Sequence, residues 1–453
     1  MDTYKKKYIK YKKKYMKIKG GKKCSDTIDV NVWKNKKVNS KDFITLHNNS
    51  LFKLLIPSTL KLENAHIFSN KIKNLNKVSD QKSSGRCWMF AGLNVIRHKF
   101  INNNKLQDDF EFSQNYLFFW DKFERMNYIV YLIEDLYKKN EPLNSRTIYE
   151  LLNNFIDDGG TWEMLINLVN KYGLVPRSAF SETYHSSNTG NINTLLKKKL
   201  REYTRDIYNS NFDKRKMLDE IYLLLVKFFG QPPNTFDWEY VDKNKKYNIK
   251  KNLNPNKFYK MTNSNLEDYI YFINDPRNEY EKVYSVDYMN NMVNGLNTRY
   301  LNIDMNTMKN LVKKSIDKNE GVYFACDVSK YLLSKKSVLD TDAYKIDDLL
   351  HINFNLTKKE RLQYFDSEPN HAMAITGYNK DGSKINRWKI ENSWGEKKDT
   401  TSSGYYSMTD KWMEEYVFEV SINKKHVPTN LKNIWKQDIY KNFPLWDPFG
   451  TLA

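Results

Sequence analysis

Cysteine is scarce in this chain: Cys24, Cys87 and Cys326 are the three in 453 residues. So small and odd a number argues against a disulfide framework and fits a reducing compartment, hence a cytoplasmic protein. No run is long and apolar enough to read as a membrane span. The N-terminus lacks the apolar core of a secretory signal. The chain shows no internal repeat and no base-reading module. Its length is enough to bury a substantial core and to form two or three subdomains.

Acidic charge is also short, with 54 Asp and Glu against 74 Lys and Arg, a net +20. Half of that excess lies in residues 1–24, which hold eleven lysines against one aspartate. Tyr4, Tyr8, Tyr11 and Tyr15 recur there at helical spacing, and Gly20-Gly21 ends the pattern. Such a tail could contact nucleic acid, an acidic surface or anionic lipid. A charge run of this kind is also commonly just solvated.

What the chain does have is a particular cysteine in a particular setting. Gln81 stands six residues before Cys87 in the run Gln81-Lys82-Ser83-Ser84-Gly85-Arg86-Cys87-Trp88. Far downstream come Asn370-His371-Ala372 and Glu391-Asn392-Ser393-Trp394-Gly395. Met89, Phe90, Leu93, Ile96 and Phe100 follow Cys87 at helical spacing, which places the thiol at the start of a buried helix. A helix N-terminus and a nearby imidazolium both favour the thiolate, the attacking form. His371 is the candidate base and later acid. Asn392 would hold its imidazole in the useful tautomer. The Gln81 amide and the Cys87 N–H would form an oxyanion hole. Trp394 is expected to cover Asn392. Taken alone, each of these residues reads as structural; their order makes the pattern specific. The chemistry calls for no metal or organic cofactor.

The constellation resembles the papain-like cysteine peptidases, and within them the bleomycin hydrolase or aminopeptidase C branch. The general papain signature is C-G-[SA]-C-[WY], with the His and Asn about 130–150 residues downstream. Here Ser84 and Arg86 depart from it, and His371 and Asn392 lie 284 and 305 residues after Cys87. Both departures match that branch. So do Tyr116–Lys122, Asp158-Gly159-Gly160, Lys171–Pro176, Asn274–Arg277, Ala325–Val328, His426–Pro428 and the C-terminal Leu445–Ala453.

The resemblance implies an α+β, papain-like fold of two subdomains, one helical and one a β-barrel. It also implies a large helical insertion and a C-terminal arm lying in the cleft. The arm would act as a ruler, its terminal carboxylate on Ala453 meeting the free ammonium of a peptide substrate. Gly159 and Gly160 would bond the substrate backbone, although both also read as a turn before a helix. Trp88 and Trp394 would support the site. Ring-like homohexamers are a further implication.

Along the chain, residues 1–24 read as the basic tail and 25–80 as a strand-and-loop arm. Residues 81–190 form the helical half, with helices at Cys87, from about Ser113 and at Trp162–Tyr172. Residues 191–315 are the helical insertion, 316–430 the strand-rich half with His371 and Asn392, and 431–453 the C-terminal arm. Cys326, in an apolar strand-like run, is expected to be inert. The expected activity is removal of N-terminal residues from peptides through an acyl-enzyme on Cys87. An open-cleft endopeptidase and a nucleic-acid-binding or scaffold protein on an idle protease fold remain as alternatives.

Overall fold

The computed structural model describes residues 31–452 apart from 35, 38–39, 58–59, 61, 63–64, 74–76 and 397–401. The basic tail, Cys24 and Ala453 lie outside the described residues.

The helical half follows the apolar spacing closely. Its helices are α1 (Cys87–Asn104), α2 (Gln114–Lys138), α3 (Arg146–Asn154) and α4 (Trp162–Tyr172). Side-chain caps set their starts. The Ser113 hydroxyl accepts the Tyr116 N–H at 3.0 Å, and Ser145 accepts from Ile148 at 3.2 Å. Thr161 caps α4 through the Met164 N–H at 3.4 Å. Helix α1 is buried on nearly every face, its polar Asn94, Arg97 and His98 included.

Two more helices follow, α5 (Gly190–Tyr208) and α6 (Lys214–Phe229), and then the expected helical insertion gives way to strands. A hairpin, β1 (Phe236–Val241) and β2 (Tyr247–Leu253), stands apart. The strands β3 (Tyr269–Ile273), β4 (Lys282–Val286) and β5 (Arg299–Asn302) join the main sheet, and helix α7 (Met305–Asp317) closes the segment. The insertion over 191–315 is thus helical in its first part and largely strand after it. The cause is local: Tyr-Ile-Tyr-Phe-Ile and Lys-Val-Tyr-Ser-Val are aromatic and β-branched runs, set among charged neighbours. The strand-and-loop arm expected over 25–80 likewise holds helices at Ser40–Asn48 and Leu51–Leu54, and among its described residues one short strand, Asn70–Lys71.

The remaining strands are β6 (Val322–Cys326), β7 (His371–Asp381), β8 (Lys384–Glu391), β9 (Tyr405–Thr409), β10 (Val417–Asn423) and β11 (Lys441–Phe443). They form one sheet in the order β11-β4-β5-β3-β10-β6-β7-β8-β9, extended by Val338–Leu339 and Leu332–Leu333, with Asn70–Lys71 paired along β7. Both faces of its centre are apolar. Tyr323, Ala325, Ala372 and Ala374 pack on the helical half. Val322, Phe324, Met373 and Ile375 pack on the opposite side with Met308 and Val312 of α7. A strand covered on both faces reads as a continuous apolar run rather than an alternating one. Helix α1 lies against this sheet, so Cys87 faces the start of β7.

The arm is docked. Strand β11 runs parallel to β4, and Phe449 is fully buried against Tyr300, Phe418 and Phe443. Arg277 grips Asp447 at 2.9 Å, and the Arg146 guanidinium lies 4.2 Å from the Trp446 ring.

Among the described residues no helix is long and apolar enough to cross a membrane. Cys87 and Cys326 are free thiols.

Candidate active site

Cys87 is the first residue of α1 and is buried. The backbone N–H of Ala372, the residue after His371, faces its sulfur. The site therefore forms where the nucleophile helix meets the first residues of β7.

The His371 Nε2 lies 2.9 Å from the Asn392 Oδ1. That same oxygen accepts the Ser393 N–H at 2.8 Å, so it is an acceptor and the imidazole Nε2 is the donor. This fixes the tautomer and leaves Nδ1 as the base. The Trp394 ring rests on the imidazole with centroids 4.9 Å apart and is itself edge-on to Tyr406. The tryptophan thus covers the histidine ring, and Asn392 is fully buried.

Burial pushes the Cys87 thiol up to about 11 and the His371 imidazole down to about 4, against the bond to Asn392. Enclosure thus opposes the charge on each group, while the helix N-terminus and the facing Ala372 N–H favour the thiolate. A proton passed from thiol to imidazole leaves the pocket's net charge unchanged. The ions so formed stabilise each other in a low-dielectric site.

The Gln81 side chain is locked. Its Nε2 donates to the Ser84 carbonyl at 2.6 Å, and the Ser393 hydroxyl donates to its Oε1 at 2.5 Å. This sets the amide orientation and leaves one N–H of Nε2 for an oxyanion. The backbone repeats the link, since the Gln81 N–H donates to Ser393 O at 2.8 Å. Neither Ser393 nor Ser84 was distinguishable in this role from sequence; the only signal was their place inside the quoted strings.

Arg86, the departure before the nucleophile, is fully buried. Its guanidinium clasps Glu182 at 3.1 and 2.9 Å, and its Nε donates to Ser84 Oγ at 2.9 Å. The bulky residue anchors the turn into α1 from behind.

Gly160 packs directly against α1, and Gly159 against the arm. A Cβ on Gly160 would come within 2.5 Å of the Trp88 ring, and Trp88 Nε1 donates to Asp158 O at 2.7 Å. At Gly159 a Cβ would lie 2.3 Å from the carbonyl oxygen of Leu452. The arm therefore runs directly over this glycine. The Gly159 carbonyl is engaged by Arg125 Nη2 at 2.6 Å. A cavity of about 440 Å³ opens beside it, bounded by Leu445, Trp446, Leu452, Glu150 and Phe155. Cys326 ends β6 and pairs with His371 across the sheet, its sulfur 3.7 Å from His371 O, and burial raises its thiol well above the ordinary range. No group of three His, Cys, Asp or Glu side chains comes together as a metal site among the described residues.

The sequence model of the Peptidase C1-like family matches residues 29–450. The chain belongs to the Peptidase C1-like family. Mouse bleomycin hydrolase is 40% identical over 409 residues, covering 86% of this chain and 89% of that one. Aminopeptidase C of Listeria monocytogenes is 38% identical over 405 residues, covering 87% and 90%. The crystal structure of PepW from Lactobacillus rhamnosis HN001 superposes with a TM-score of 0.88 at 36% identity, over 96% of this chain and all of that one. The resemblance read from the motifs, and with it the papain-like fold, is thereby established. Within this family the arm over Gly159 and the pair His371–Asn392 are the features that bear most on what the site does.

Proposed function

We propose that this chain is a thiol aminopeptidase that removes N-terminal residues from peptides, with Cys87 as its nucleophile. The Cys87 proton passes to His371 Nδ1 as the sulfur attacks the first carbonyl carbon. Gln81 Nε2 and the Cys87 N–H hold the resulting oxyanion. The C–N bond breaks, and His371 returns its proton to the leaving amine. A thioester on Cys87 remains. His371 then takes a proton from water, whose oxygen attacks the thioester carbonyl. The C–S bond breaks and the thiol is restored. Every group in this cycle belongs to the chain.

The observation that carries the N-terminal preference is the contact of Leu452 with Gly159. A backbone lying there fills the track a longer substrate would need upstream of Cys87. The resemblance to the bleomycin hydrolase and aminopeptidase C branch implies that the end of this arm meets the substrate ammonium. The cavity beside Gly159 offers room for the N-terminal side chain. The relatives named bleomycin hydrolase and aminopeptidase C support the same reading.

This reading includes residence in the cytoplasm, supported by the two free thiols, and assembly into hexamers, as the resemblance implies. Sedimentation analysis tests the latter. The expected particle has six times the 54.1 kDa chain mass, and a monomer would overturn that part. The activity is tested by cleavage of paired free and N-acetylated peptides, taken up at the end of the Discussion.

A further inference from the structure

Helix α2 carries a set of charges that face inward. Asp121, Lys122 and Arg125 are fully buried, where ions are rare unless paired. Asp121 pairs with Arg125 at 2.8 Å, and the other partners of Lys122 and Arg125 lie in the loop that ends at the cleft glycines. Lys122 Nζ donates to Ile156 O at 2.7 Å and pairs with Asp158 Oδ1 at 2.8 Å. Arg125 donates to Phe155 O at 3.3 Å and Gly159 O at 2.6 Å. With Trp88 on Asp158 O, four carbonyls of this loop are each held by a buried side-chain donor.

Asp158 is the hub. Its Oδ2 accepts the Gly85 N–H at 2.9 Å and the Thr189 hydroxyl. Its Oδ1 accepts Asn193 Nδ2 at 2.7 Å beside Lys122. With two donors on each oxygen no lone pair is left to carry a proton, so this carboxylate is ionised. Burial alone would raise this carboxyl, but Lys122, Thr189 and the Gly85 N–H hold it well below its usual range. The approach is close, since a Cβ on Gly85 would stand 2.9 Å from Asp158 Cβ. Gly85 is two residues before Cys87, and Gly159 follows Asp158 directly.

We infer that Asp158 is a positioning residue that locks the turn carrying the Cys87 N–H to the loop carrying Gly159, so that oxyanion donor and substrate track keep one fixed spacing. This rests on the peptidase reading above, and it adds a residue that never touches substrate. The bland possibility is that Asp158 only neutralises Lys122. The two differ in what a neutral replacement does. If Asp158 only balances charge, removing both charges restores everything. If it sets the spacing, stability returns and turnover does not.

The test compares wild type, Asp158→Asn and the double variant Asp158→Asn with Lys122→Met. Three quantities are read: melting temperature, the rate of Cys87 alkylation by iodoacetamide, and kcat and KM on a dipeptide amide with a free N-terminus. Alkylation needs the thiol but no oxyanion hole. The double variant is expected to melt near wild type and to be alkylated within about threefold of it. Its kcat should fall about 100-fold, the scale of losing one oxyanion donor, with a raised KM from the loosened Gly159. Wild-type kcat and KM in the double variant would overturn the inference. So would parallel losses of turnover and alkylation, which indicate general damage. If Asp158→Asn alone fails to fold, the double variant still decides. A wild-type enzyme that cleaves nothing would instead sink the peptidase reading on which the inference stands.

Discussion

Arg97 and Glu391 form a buried ion pair at 2.7 Å that joins the nucleophile helix to the residue next to Asn392. His98 adds a second contact to the same carboxylate at 2.6 Å. Arg97 also donates to Ser79 Oγ and Lys77 O, both at 2.9 Å. One carboxylate thus connects the segment before Gln81, the Cys87 helix and the Asn392 strand. The catalytic parts come from distant sequence, and this is one place where they are tied together.

Burial would raise the Glu391 carboxyl, but His98 and Arg97 hold it below its ordinary 4.5. A depressed carboxyl contributes stability that is present above its unfolded value and is lost as pH falls through the folded one. Wild-type stability should therefore drop on acidification below about pH 4.5. Glu391→Gln should cost about 3–5 kcal/mol at pH 7 by leaving the buried Arg97 cation unpaired, with a flatter acid dependence. Denaturant melts across pH 3–7 check both; an unchanged acid slope in the variant would remove Glu391 from the account.

His371 and Cys87 set the pH range of turnover. With the imidazole at about 4 and the thiol at about 11, kcat/KM should be flat between roughly pH 5 and 9. Asn392→Asp places a negative charge on the imidazole N–H and should move the acid limb upward, together with a loss of kcat. A pH–rate series on both enzymes measures this, and an acid limb at the same pH in both would contradict it.

The Gln81 amide is placed by Ser393 and Ser84. Gln81→Ala should lower kcat by about 100- to 1000-fold with little change in KM. Ser393→Ala, which removes the orienting hydroxyl but keeps the amide, should cost much less. Steady-state kinetics separate the two; equal effects would mean that Ser393 has a function of its own.

Gly159→Ala puts a methyl group where the Leu452 carbonyl lies. The arm must shift, so the variant should lose activity on free N-termini while its melting temperature changes little. Wild-type kinetics in this variant would show that the arm does not lie there in solution.

Much of the site was legible because its chemistry restricts residue type. Gln81, Cys87, His371 and Asn392 stood out from spacing and neighbours alone, and the helix expected from about Ser113 starts there, capped by its hydroxyl. Other parts were not legible, for physical reasons. Lys122, Arg125 and Asp158 look like ordinary surface charges until the fold buries them against one another. The strands at 269–273, 282–286 and 299–302 are short aromatic and β-branched runs hidden in a charged stretch, and only the first of them pairs with β10. The pull of burial against charge on Cys87 and His371 follows from enclosure, which no local pattern reports. Trp394 was expected to cover Asn392 and its bond to the histidine, and its ring lies on the His371 end of that bond.

The central claim is N-terminal cleavage by Cys87 under a docked arm. The most direct measurement is mass-resolved product analysis of one peptide and its N-acetylated twin, with wild type, Cys87→Ala and a chain ending at Pro444. The account predicts stepwise loss from the free peptide only, none with Cys87→Ala, and cuts in the acetylated peptide once the arm is gone. Internal cuts of the acetylated peptide by the intact wild-type chain, or turnover that survives Cys87→Ala, would contradict it.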